Sequence, residues 1–110
     1  MRVTLKIWTD AKSRVAAERV FERATQQLGW LPQNSRAEPY PKTGGYVWEC
    51  EWELECPDWA NCVVEVIALG QQLCNSWIVS GDVRQELIGW STEARVAGIK
   101  AAQLTLQQQA

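Results

Sequence analysis

The sequence contains no histidine. That absence removes the commonest general base and the commonest transition-metal ligand, and it turns the search for a function away from hydrolytic catalysis. No segment approaches the roughly eighteen consecutive apolar residues that mark a membrane-spanning helix. Arg2 and Lys6 interrupt the N-terminal run where a secretory leader would need an unbroken apolar core, so the chain is expected to be cytoplasmic, with reduced thiols. Internal repeats and low-complexity linkers are absent apart from the glutamines at 107 to 109, and 110 residues make one globular domain, 1–110. The net charge of −2 lacks the basic excess of a general polyanion binder.

What is present is unusual. The chain has seven tryptophans. Tyr46 to Glu55 alternates without error between an apolar side (Tyr46, Trp48, Cys50, Trp52, Leu54) and an acidic side (Glu49, Glu51, Glu53, Glu55), which is the period of a β-strand with one buried face. Stacked carboxylates repel one another, so this ladder requires cross-strand cations, water or a partner. Residues 2–9 alternate in the same way, with Val3, Leu5 and Ile7 on one side and Arg2, Thr4, Lys6 and Trp8 on the other.

Between these strands the spacing predicts a helix from about Ser13 to Leu28, with Ala17, Val20, Phe21, Ala24 and Leu28 inward and Gly29 as its left-handed stop. Pro32, Pro39 and Pro41 restrict 30–41 to a short edge strand and loop, and Lys42 to Gly45 form a turn. Asp58 opens a second helix to about Leu73, with Trp59, Cys62, Val63, Val66, Ile67, Gly70 and Leu73 as its buried face and Gly70 marking close packing on the sheet. A strand begins at Trp77 to Val79, with Gly81 and Asp82 turning toward Leu87 to Trp90, as one strand or a hairpin. Val96, Ile99, Ala102 and Leu106 then suggest a last helix from Glu93 to about Gln107.

This order defines an α+β fold. It matches a ferredoxin-like split βαβ sandwich with a βαββαβ core, extended by a C-terminal strand and helix. In it the first strand and the acidic strand are expected side by side, parallel, with Arg2 and Lys6 beside the glutamates. Each cross-strand pair would then relieve about 0.2–1 kcal/mol of repulsion.

The cysteines are spaced C-x5-C-x5-C-x11-C, unlike any zinc motif. Cys50 and Cys56 lie roughly 20 Å apart if one strand joins them. Cys62 and Cys74 lie roughly 18 Å apart along a helix. Neither of these pairs can bond, only cross pairs could, and all four are expected as free, mostly buried thiols with no metal. Glutamates at i and i+2 are roughly 6.5–7 Å apart, near the spacing of inverting glycosidases, but a regular ladder gives every carboxylate similar surroundings. Glutamates also occupy the positions where a nucleic-acid-binding sheet wants rings and cations. Lys42 to Gly45 lacks the spacing of a phosphate loop and leads into a strand.

The residues therefore point to a small non-catalytic binding domain without cofactor, acting through Glu49, Glu51, Glu53, Trp8, Arg2 and Lys6 on the outer sheet face. The expected partner is a second copy of the chain (a dimer) or a basic protein, as for an inhibitory or immunity-type protein; nucleic acid and membrane are not expected. The alternative is a small-molecule-binding or enzyme domain with a carboxylate-based site in a pocket between sheet and helices or at a subunit interface.

Overall fold

The computed structural model describes residues 1–29, 34–82 and 84–108. Its elements run β1 (Arg2–Thr9), α1 (Arg14–Leu28), β2 (Asn34–Pro39), β3 (Tyr46–Glu53), α2 (Trp59–Leu73), β4 (Ile78–Asp82), β5 (Glu86–Ser91) and β6 (Ile99–Gln107). The strands form one sheet in the order β2-β3-β1-β6-β5-β4, and every pairing is antiparallel.

Both helices begin and end for the reasons their residues supply. Ser13 Oγ accepts the Ala16 N–H at 3.1 Å, and Gly29 ends α1 at φ 71°, its N–H donating to the Thr25 and Gln26 carbonyls. Asp58 Oδ1 accepts the Asn61 N–H at 2.9 Å at the start of α2. Ala17, Val20, Phe21, Ala24 and Leu28 are buried, with the Phe21 ring stacked on Trp48 at 5.4 Å. They meet a sheet face made of Val3, Leu5, Ile7, Trp48, Cys50, Trp52, Ala102, Leu104 and Leu106. In α2 the buried set is Cys62, Val66, Leu69, Gly70 and Leu73. Ile67, predicted inward, is 45% exposed, because the inward stripe turns through Leu69 instead.

The α+β class holds, with two helices packed on one sheet face, but the sheet has six strands and is larger than the predicted ferredoxin-like core, with a different neighbour beside β1 from the expected strand after α2. That neighbour is the last strand, β6, while the strand after α2 lies at the far edge. β1 and the acidic strand β3 are neighbours as expected but antiparallel, pairing Arg2 with Glu53 and Lys6 with Glu49. The reason is connectivity. The turn through Lys42 to Gly45 joins β2 to β3 as an antiparallel hairpin, and α1 carries the chain across from β1 to β2 in the same direction. Gly45 is held tightly in that turn at φ 75°, where a Cβ would collide with the Thr9 carbonyl.

The segment predicted as a C-terminal helix is β6, preceded by an irregular connection over 92–98. Its alanines and glutamines suit a helix, yet Ala102, Leu104 and Leu106 repeat with period two and are buried, alternating with Gln103, Thr105 and Gln107. Tertiary pairing with β1 and β5 on both sides overrides the local preference. The strand over 78–90 is a hairpin, β4 to β5, whose turn is closed by Asp82: its Oδ1 accepts the Arg84 N–H and its carbonyl the Gln85 N–H, each at 2.9 Å. The edge strand predicted for 30–41 is β2; Trp30 and Pro32 lie outside the described residues.

The cysteine expectation is corrected. Cys56 and Cys62 form a disulfide with their Cα atoms 5.7 Å apart; Cys50 and Cys74 are free and buried. The bonded pair crosses the bend at Pro57 and Asp58 between the end of β3 and the first turn of α2. Distances along a straight strand or helix therefore do not apply to it.

Candidate binding face

Helices occupy one side of the sheet, and on the other the side chains of all six strands are left without a covering element among the described residues. Register places these side chains in rows. One row runs Arg36, Glu49, Lys6, Gln103, Trp90 and Ile78; the next runs Asn34, Glu51, Thr4, Thr105, Ile88 and Ser80. A third contains Glu53, Arg2, Gln107, Glu86 and Asp82. Every predicted site residue, Glu49, Glu51, Glu53, Trp8, Arg2 and Lys6, lies on this open face.

The ladder of glutamates is compensated from within the chain. Lys6 Nζ stands 3.7 Å from Glu49, and Glu53 is reached by Arg2 Nε and by the N-terminal ammonium, each at 3.8 Å. These half-exposed pairs contribute about 0–1 kcal/mol apiece, enough to relieve the ladder without fixing it rigidly. Glu51 meets Asn34, Ser35, Arg36 and Glu49 around a surface depression. Gln107 donates to Glu86 at 2.9 Å, so the polar rows continue across β6 to β5.

The aromatic part of the face is larger than Trp8 alone. The Trp8 ring lies 5.3 Å from Trp90, tilted, and 6.3 Å from Tyr40, edge-on. Trp90 is 40% exposed and sits opposite Ile78, itself 73% exposed, so an aromatic and aliphatic strip runs from the hairpin turn after β2 to the β4 edge. Sequence reasoning missed Tyr40 and Trp90. For Trp90 the signal was available: Leu87 and Gly89 are inward, so the period of two turns Ile88 and Trp90 outward. The inward glycine makes room for Trp77, since a Cβ on Gly89 would lie 3.2 Å from that ring and one on Gly70 of α2 3.1 Å from its Nε1.

Two depressions lie between the sheet and the helices: one between α1 and the β2–β3 end, whose wall includes Glu18 and Glu22 beside Arg36 and Trp48, and a second that is apolar. The second is a cavity of about 180 Å³ between α2 and the β4–β5 end, lined chiefly by Val66, Ile67, Trp77, Val79, Leu87 and Leu104, with no aspartate or glutamate in its wall. The free thiols offer no nucleophile either. Burial, reinforced by the charges of Glu49 and Glu51, pushes the Cys50 thiol far up, and its Sγ points to the Leu5 carbonyl at 3.8 Å. Burial also raises Cys74, with a hydrogen bond to Ser91 opposing it. Both thiols stay protonated at neutral pH. Among the described residues no three of Cys, Asp or Glu gather as metal ligands, and no helix is long and apolar enough to cross a membrane.

Compared with protein-family models, with curated proteins and with solved structures, the chain matches none.

Proposed function

We propose that this protein is a non-catalytic binding domain that engages another protein through its open sheet face, with Trp8 as the central anchor. The observation that carries the reading is the contiguous cluster of Tyr40, Trp8 and Trp90 on a face that neither helix covers. Aromatic rings are a large part of the energy at protein interfaces, and here the exposed Trp90 and the partly exposed Trp8 and Tyr40 are flanked by ion-paired side chains able to form a polar rim. Because Lys6, Arg2 and the N-terminus already oppose Glu49 and Glu53, acidity serves steering of a basic partner, and the rings serve retention. On the scaffold side, we propose that the β1–α1–β2–β3–α2 portion is ferredoxin-like and that the β4–β5 hairpin enlarges it.

The test uses immobilised wild-type protein to capture partners from the source cells, followed by kinetics with purified partner. Trp8→Ala is expected to raise the dissociation rate by roughly thirtyfold or more, the threshold of an interface hot spot. Glu51→Lys combined with Glu53→Lys is expected to slow association and weaken its salt dependence while circular dichroism stays unchanged. Folded variants that capture the same proteins with unchanged rates would overturn the reading.

A further inference from the structure

Exposed apolar side chains are unevenly distributed. Among the described residues the exposed large hydrophobics are Val15, Val64, Ile67, Ile78, Val79 and Trp90, and all but Val15 belong to α2, β4 or β5. The helices divide in the same way. α1 carries Arg14, Glu18, Arg19, Glu22 and Arg23, whereas the equally long α2 has Glu65 as its single charged residue.

The two sheet edges differ too. β2, at one end, ends in Pro39 and bears Arg36 and Glu38, whose side chains pair at 3.8 Å; charge and proline are the usual guards of a strand edge. β4, at the other end, reads Ile-Val-Ser-Gly-Asp and, among the described residues, pairs only with β5. All five of its residues are exposed, and Ile78 and Val79 are 73% and 51% exposed. One side of its backbone thus presents a row of hydrogen-bonding groups next to uncovered aliphatic surface, with no proline and no cation to repel another strand. Ile67 and Val79 also line the cavity under α2.

We infer that two copies of the chain pair through β4, antiparallel about a two-fold axis, making one sheet continuous across both. A row of strand donors and acceptors is satisfied by another strand edge, and β4 is itself an edge with a single, terminal charge. The charge pattern selects a second copy over a charged partner, because a two-fold contact sets each group against its own equivalent and so tolerates few charges. β4 meets this condition. Its one charge, Asp82, is terminal, and a two-fold through Val79 or Ser80 carries the two Asp82 side chains to opposite ends of the seam, about 13 Å or more apart at roughly 3.3 Å per residue. An axis normal to the sheet keeps like faces together. Val79 and Ile67 are then covered on the helix side and Ile78 on the open side, while Trp8 and Tyr40 stay free for another protein.

The experiment measures mass in solution by light scattering over a dilution series, with hydrogen exchange read at the β4 amides. Wild type is expected at about twice the chain mass of 12.5 kDa, with protection in β4 that is lost on dilution. Val79→Lys sets like charges across the seam and Ile67→Glu charges the covered helix face; each is expected to weaken association by roughly thirtyfold or more while circular dichroism is unchanged. Trp8→Ala is expected to leave the mass as in wild type. A wild type that stays monomeric at millimolar concentration overturns the inference. So does a folded Val79→Lys variant of undiminished mass, or a dimer lost with Trp8→Ala, which would move the contact to the open face.

Discussion

The two faces of β3 carry the same backbone into opposite environments. Trp48, Cys50 and Trp52 are buried under the helices, while Val47, Glu49 and Glu51 remain half-covered and Glu53 is exposed. The first set is fixed by packing, since each ring fills a space shaped by helix side chains such as Phe21. The second set is fixed by little more than charge compensation along a row. One face of the sheet therefore holds the fold together, and the other is free to be occupied by chemistry the fold does not need.

Substitutions at adjacent positions of one strand should separate these roles. The largest effect is expected from Trp52→Ala, which opens a cavity in the core and should lower stability by about 3–5 kcal/mol in denaturant titration. Next comes the junction beneath the covered face. Reducing Cys56–Cys62 releases a short loop and should cost about 2 kcal/mol by loop entropy, seen as a lower denaturation midpoint with reductant; equal midpoints would remove the disulfide from the account.

The buried thiols add a pH dependence of known sign. Their folded-state pKa values are raised, so above about pH 9 the unfolded chain sheds protons that the folded chain keeps, and stability falls as pH rises by up to about 1.4 kcal/mol per pH unit per thiol. Cys50→Ala should flatten that fall; an unchanged slope would contradict the burial argument.

On the open face the expected costs shrink. Trp8→Ala removes ring contacts with Trp90 and Tyr40 and should cost about 1–1.5 kcal/mol. Glu51→Gln should stay within about 0.5 kcal/mol or stabilise slightly, because it removes one member of a like-charged ladder. Losses at Glu51 as large as those at Trp52 would erase the distinction between faces.

Much of this contrast was legible in the sequence. The alternation of β1 and β3, the start of α1 near Ser13, the opening of α2 at Asp58, the Gly29 stop and the inward stripe of α1 follow from local periodicity and local hydrogen bonds, and the structure reproduces them. The failures occur where long-range contacts decide. Residues 99–107 have helix-forming alanines and glutamines, and only pairing between β1 and β5 makes them a strand. Cys56 and Cys62 meet because the chain bends between two elements, a proximity that spacing along either element does not contain. Of the candidate face, the charged half was readable from β1 and β3 alone. Its aromatic half needed the register of β5 and the turn at Tyr40, which bring distant residues onto Trp8.

The central claim is that the open face binds a protein and that Trp8 anchors it. The most direct measurement is the dissociation rate of a captured partner from wild type, Trp8→Ala and the outward α1 variant Val15→Ala, a control at an exposed apolar side chain on the opposite side of the sheet. The account predicts release from Trp8→Ala faster by roughly thirtyfold or more, and release from Val15→Ala at the wild-type rate. Equal rates for all three folded proteins, or faster release from Val15→Ala alone, would contradict it.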